Sequence, residues 1–469
     1  MQRDLLIRSG RVFDGRGYRR ADLLVSGGRV QRWLRPGKRR PAEASTVLDA
    51  AGCLVLPGAV DPHVHFELGV GGGRTTCDDF SSGSASAAAA GVTTFIDYTA
   101  PEPGEGPLSA FRRRRARADG RVFCDYSLHN VLIDWRPGWR RELAALARAG
   151  APSVKVFLIY RERGWQSDEG RLLEIMSACA AQGLIVCVHA ENEPLIDHFR
   201  QRVDSLPRRQ RPGASGLALS RPALVEEMAA AQAILLAGAT GAHLHLVHLS
   251  TAGAAALVGA ARQSGIRASG DTCPQYLVLD KDRLSDRDGH RFACCPPLRG
   301  ERDRRGLWSA LAAGMLEALA TDHCAFDLST KDAWGGHLDH LAFGLPGVAT
   351  ALRLTFTHGV RTGRISATRW AFLHSEGPAR RFGLFPRKGN LLPGADADVL
   401  VWDPEHRERL PAQSRNGRDF SPYAGMTLYG HPRTVLLRGR IVSREGRLVT
   451  TRAFGKFALR RPPQRTGEG

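Results

Sequence analysis

Four histidines, one aspartate and one lysine carry the chemistry that can be read from this 469-residue chain. His63 and His65 stand two residues apart at the end of the apolar run AVDPHVH, a spacing that puts both imidazoles on one face of an extended backbone. His189 closes LIVCVH, His248 lies at the end of HLHLVHL, and Asp322 closes ALATDH. Imidazoles and a carboxylate gathered in one place form a site for a divalent cation, with Zn²⁺ the first choice and Mn²⁺, Co²⁺ or Fe²⁺ as alternatives. Lys155 is the unusual member, because SVKVFLI is otherwise apolar and a buried ammonium beside cations is costly. Desolvation lowers the pKa of an amine, and a neutral amine can take up CO₂ to give a carbamate, an anion able to bridge two metals. Arginine cannot do this, and the chain has only six lysines among its 66 basic residues. A buried ion pair is the alternative reading of Lys155.

The elements that must position these residues are short apolar strands alternating with helical stretches, the pattern of a parallel sheet. Eight candidates are found at 59–65, 92–97, 122–131, 153–159, 184–189, 243–249, 266–272 and 318–323. Eight such units predict a closed (β/α)8 TIM barrel, in which reactive groups sit at the C-terminal ends of the strands. The six residues above fall at those ends. Ser167 is the expected cap of a helix with Asp168 and Glu169 in its first turn, and Ser220 with Pro222 opens another that ends near Gly238. Alternating segments near both chain ends predict a small β-sandwich made from the two termini. The expected division is 1–56 and 389–455 for the sandwich, 57–388 for the barrel and 456–469 for a basic tail.

Composition narrows the function classes. A formal charge of +19 invites a nucleic-acid reading, but the arginines are spread along the whole chain and no nucleic-acid motif accompanies them. No apolar run of membrane-spanning length and no secretory signal are evident, so a cytoplasmic protein with neither nucleic acid nor membrane as partner is expected. The nine cysteines are odd in number and lack a CxxC pair, which suits reduced thiols.

Several segments together carry a family resemblance: LPGAVDPHVHFEL (56–68), SVKVFLIY (153–160), VHAEN (188–192), VHLS (247–250), GDTCPQYL (270–277), CCPPLR (294–299) and TDHCAF (321–326). With PRKGNLLPGADADVLVWDP (386–404) and SPYAGMTLYGHP (421–432), they resemble the dihydropyrimidinase/D-hydantoinase group of the amidohydrolase superfamily nearly end to end. The resemblance implies two zinc ions, one on His63, His65 and Asp322 and one on His189 and His248, bridged by N6-carboxylated Lys155 and a hydroxide. It implies hydrolysis of the cyclic amide bond of dihydropyrimidines or 5-substituted hydantoins to N-carbamoyl amino acids. Asp322 would move the proton to the leaving nitrogen, and the Tyr160 hydroxyl would polarise the carbonyl.

The same resemblance places substrate-binding backbone groups at Cys295 and Phe343, where similar enzymes commonly have Ser and Asn; Thr272 is a further neighbour. Phe66, Leu68 and Val70 would form a lid over the ring substituent with Leu158 opposite, which suits apolar or unsubstituted rings. Similar dihydroorotases place an arginine just after the HxH pair, and this chain has none before Arg74. Allantoinase or another cyclic-imide hydrolase is the enzymatic alternative. Collapsin-response mediator proteins, which share the fold without its metal ligands, are the non-catalytic one, and this chain keeps all six ligands. The tail FGKFALRRPP (454–463) resembles arms that reach across a neighbouring subunit, so a homotetramer is expected.

Overall fold

The computed structural model describes residues 4–37, 44–71, 73–412 and 420–462. Eight strands form one parallel sheet: β1 (Ala59–Val64), β2 (Val92–Tyr98), β3 (Asp125–Val131), β4 (Ser153–Phe157), β5 (Ile185–His189), β6 (His243–Leu246), β7 (Ala268–Thr272) and β8 (Ala318–Leu319). They are ordered as in the chain, and a parallel bridge between Val64 and His323 closes β1 onto the segment after β8. This is the expected barrel, although β8 contributes only two residues of regular strand before the chain turns at Thr321 and Asp322.

Helices fill the outer ring. The first turn expected near Ser167 is capped instead by Asp168, whose side chain accepts from the Arg171 N–H, and the helix spans Glu169–Gln182. Asp168 stands one place nearer the helix and its carboxylate complements the positive end of the helix dipole. The helix expected after Pro222 spans Ala223–Thr240 and stops at Gly241, two residues beyond the expected end, where a left-handed φ of 68° suits glycine.

The two chain ends build two further sheets. Arg29–Leu34, Asp22–Ser26, Leu5–Arg8 and Thr46–Asp49 form one; Arg447–Leu448, Arg440–Arg444, Thr427–Leu437, Val399–Arg409, Leu54–Pro57, Arg11–Phe13 and Tyr18–Arg20 form the other. Alternate residues such as Ile7, Leu23, Val25, Val55, Val399, Val401 and Leu436 share a separate core between them. Lys388 ties this sandwich to the barrel: its buried Nζ lies 2.7 Å from both Asp125 at the start of β3 and Asp398, and 3.1 Å from Asp396. Three carboxylates around one ammonium hold its pKa well above the ordinary lysine value despite burial.

The described part of the tail is anchored on its own chain. It lies under the chain's own barrel: the Tyr126 N–H donates to the Lys456 carbonyl, the Ala458 N–H to the Tyr126 carbonyl, and the Arg460 N–H to the Gly150 carbonyl. Arg460 is buried there and donates to the Ser127 and Ser153 hydroxyls. Residues 463–469 of the expected tail lie outside the described residues.

Candidate metal centre and substrate chamber

The site begins with a stitch between the first and last strands. Asp61 in β1 accepts from the Thr321 hydroxyl at 2.6 Å and from the Thr321 N–H at 3.1 Å, and also from the His63 N–H at 3.2 Å. This fixes Asp322, the next residue, against the HxH pair. His63 Nε2 lies 3.1 Å from both His65 Nε2 and Asp322 Oδ1, and His65 Nε2 lies 3.3 Å from the same oxygen. Asp322 has φ 48°, a left-handed backbone unusual for a side-chain-bearing residue, and His248 and Tyr160 share it at 45° and 72°. Such strain persists where surrounding bonds over-determine the backbone, as they do at functional sites. For His248 the restraint is visible: its N–H donates to Asp271 Oδ1 at 2.5 Å, while Asp271 Oδ2 holds His245 Nε2 at 2.8 Å.

The remaining expected ligands converge on the same mouth. The His248 ring is 5.3 Å from that of His63 and 4.6 Å from that of His189, centroid to centroid. Lys155 in β4 is 1% exposed, with Nζ over the rings of Tyr98 and Phe157 at 5.5 and 5.2 Å. Burial pushes its ammonium down to about 8. Burial likewise pushes His63 down to about 4 and lowers His189 and His248, so these imidazoles are neutral and carry lone pairs. Burial would raise Asp322, but His63 and the hydrogen bonds from His63 and His65 pull it well below the usual carboxylate range.

These residues fit a divalent metal pair. Two imidazoles and a carboxylate crowd to within 3.3 Å of one another. Among the described residues the Nδ1 atoms of His63, His65 and His248 are buried with no hydrogen-bond partner, an arrangement costly unless a further partner such as water joins them. His63, His248 and Asp322 bring one donor atom each to within 4.8 Å of one another, and so do His189, Glu191 and Cys295.

Glu191 was not expected. It lies two residues after His189, so the spacing that exposes the HxH pair could also have revealed it. Its Oε2 receives His189 Nε2 at 2.7 Å, Arg221 Nη1 at 2.9 Å and the Cys295 thiol at 3.0 Å. Burial opposes its ionisation, but Arg221 and His189 hold its pKa well below the ordinary value. A carboxylate behind a histidine fixes ring orientation and raises ligand basicity. Tyr160 lines the chamber beside Cys295, and burial raises the pKa of its hydroxyl well above the usual value, so it remains a proton donor.

The chamber over these groups is a cavity of about 100 Å³ that includes Leu68, Val70, Cys295 and Phe343 in its wall. Phe343 is brought in by Gly344, where a Cβ would stand 2.3 Å from the Cys324 carbonyl oxygen. The expected lid divides. Leu68 and Val70 line the chamber beside the short hairpin Gly69–Gly71 and Arg74–Thr75. Phe66 does not: it is fully buried against Phe80 and Phe95, on the bare face of Gly83, where a Cβ would meet its ring at 2.2 Å. Leu158 is also buried outside the wall, and Thr272 bonds to the Leu249 carbonyl at 2.7 Å instead of facing the chamber. Phe157 and Trp165 take Leu158's place and also line an adjoining cavity of about 660 Å³.

Fold and site together define a barrel hydrolase of the metal-dependent kind. The model of the Amidohydrolase family matches residues 54–442. The chain is 33% identical over 466 residues to a D-hydantoinase of Geobacillus stearothermophilus, covering 97% of this chain and 96% of the relative. It is 35% identical over 463 residues to a D-hydantoinase of Rhizobium radiobacter, covering 98% and 99%. The crystal structure of dihydropyrimidinase from Brevibacillus agri superimposes with a TM-score of 0.93 at 31% identity, over 98% of this chain and 100% of that one. The chain belongs to the amidohydrolase family, in its dihydropyrimidinase/hydantoinase group.

Proposed function

We propose that this enzyme opens dihydropyrimidine or 5-substituted hydantoin rings at the cyclic amide bond, giving N-carbamoyl amino acids. The observation that carries the reading is the triangle of His63 Nε2, His65 Nε2 and Asp322 Oδ1, none more than 3.3 Å from another, beside the buried amine of Lys155. His63, His65 and Asp322 would hold one divalent metal and His189 and His248 a second, zinc by preference, with carboxylated Lys155 between them. Two such cations supply a nucleophile from water at neutral pH and polarise the ring carbonyl.

The chain's own groups do the rest. Asp322 Oδ accepts the proton of the attacking water and returns it to the leaving ring nitrogen. The Tyr160 hydroxyl donates to the carbonyl oxygen as negative charge develops there. Backbone groups at Cys295 and Phe343 orient the imide edge of the ring. Glu191, pinned by Arg221, keeps the His189 ring in its ligating orientation. Leu68, Val70 and Trp165 exclude bulk water from the ring.

A homotetramer in the cytoplasm is part of the same proposal. The helix Ala223–Thr240 leaves Leu224, Met228 and Leu235 on the surface, with Leu235 72% exposed, a face suited to another subunit. All nine cysteines are free thiols, which suits a reducing compartment.

The test is hydrolysis of dihydrouracil and of 5-substituted hydantoins by zinc-loaded protein, followed as loss of ring absorbance, with Lys155→Arg as control. Ring opening that disappears in the variant supports the proposal. A wild-type protein that holds metal, leaves both rings intact and opens allantoin would replace it with the allantoinase reading.

A further inference from the structure

The chamber carries an uneven distribution of charge. Most arginines near the metal centre are matched to a carboxylate: Arg114 to Asp97 at 2.6 Å, Arg113 to Glu105 at 2.6 Å, Arg117 to Glu67 at 2.8 Å and Arg221 to Glu191 at 2.9 Å. Two arginines that line the chamber itself, Arg74 and Arg163, are not matched in this way. Arg74 forms no ion pair among the described residues; its Nη1 donates to the His340 carbonyl at 3.0 Å. It stands on the strand paired with Gly69–Gly71, so the hairpin that presents Val70 also presents this guanidinium. Arg163 lies over the rings of Tyr160 and Trp165 at 4.8 and 5.6 Å. Its acidic neighbour Glu162 is 67% exposed and 3.7 Å away, a pairing weakened by water.

Among the described residues the only carboxylate in the chamber wall is Asp322, which the proposed metal centre uses. Much of the remaining wall is apolar: Leu68, Val70, Phe326, Leu341, Phe343 and Trp165. A substituent leaving the ring would cross this apolar stretch and meet cationic groups. A guanidinium is built to receive a carboxylate through two parallel N–H bonds, and stacking on aromatic faces holds that of Arg163 ready. A neutral apolar substituent would gain no ion pair from either guanidinium.

Resting on the hydantoinase reading above, we propose that the chamber selects rings whose substituent has a short apolar stem ending in a carboxylate, received by Arg74 and Arg163. This narrows the substrate class from the apolar or unsubstituted rings that the lid residues alone suggest.

The experiment compares hydantoin-5-propionate with hydantoin-5-propionamide, which share ring and stem and differ in charge. The acid is expected to have a kcat/KM higher by about tenfold or more, carried by KM, with the ratio shrinking as ionic strength rises. Arg163→Gln and Arg74→Gln should move the acid-to-amide ratio toward one, and Arg163→Lys should restore part of it. Equal kcat/KM values for the two rings, or a ratio that both Gln variants leave intact, overturn the proposal. Binding of the matched ring-opened products, N-carbamoylglutamate and N-carbamoylglutamine, to metal-loaded protein is measured in parallel by calorimetry. Tighter binding of the acid product without turnover of either ring would refute the hydrolytic reading and keep the selectivity; equal binding would refute the selectivity.

Discussion

The Asp61 carboxylate receives two hydrogen bonds from Thr321, one from the hydroxyl at 2.6 Å and one from the backbone N–H at 3.1 Å. This joins the first strand of the barrel to the turn after the last, and so sets the distance between the HxH pair and Asp322. Thr321→Val keeps the shape and removes the hydroxyl donor. The expected result is a loss of about 1–3 kcal/mol from an under-bonded buried carboxylate, and a metal affinity lower by about 10–100-fold because a supporting partner is gone. Thermal unfolding and metal titration measure the two effects separately.

Tyr160 is held in a left-handed conformation in the chamber wall. Tyr160→Phe should lower kcat by about 10²–10³, the usual cost of one lost donor to a developing oxyanion, while metal content stays at the wild-type level. A variant that loses metal would show the tyrosine to be structural.

Arg221, half-buried, and Glu191, fully buried, form a pair 2.9 Å apart. Arg221→Met leaves the carboxylate with His189 and Cys295 alone. Breaking such a pair costs about 3–5 kcal/mol, and the melting temperature should fall accordingly. The drop should be smaller in the double variant Arg221→Met, Glu191→Gln, which removes the unpaired charge as well; an equal or larger drop would show that the pair is not coupled.

Lys155 gives a dependence on pH. Burial holds its ammonium down to about 8, so the neutral amine, the form that combines with CO₂, grows as pH rises through that value. Metal-free protein given zinc and limiting bicarbonate should reach a higher final activity at about pH 9 than at about pH 7, and little at either pH when bicarbonate and dissolved CO₂ are withheld. A recovery indifferent to bicarbonate would show that the carbamate plays no part.

What could be read in the sequence was periodic. The two-residue spacing of His63 and His65, the lone lysine in SVKVFLI and the polar residues ending the strands all follow from strand alternation, and the structure brings these six residues to one mouth. Glu191 obeys the same alternation and was legible but overlooked. The rest depended on tertiary packing. Phe66 follows His65 directly, yet turns inward because Phe80, Phe95 and the bare face of Gly83 receive it. Arg221 and Trp165 arrive from loops whose path no periodicity encodes. The packing of the tail was not legible either: its backbone finds hydrogen-bond partners on Tyr126 and Gly150 of the same chain.

The proposed centre is a pair of metals held across Lys155. The most direct measurement is the metal content of purified wild-type protein and of Lys155→Ala, with anomalous diffraction at the metal edge to locate the ions. Two ions per chain beside Lys155 in the wild type, and loss of at least one in the variant together with ring opening, is the predicted result. A wild-type protein that opens rings with no metal, or a Lys155→Ala variant that keeps both ions and full activity, would contradict it.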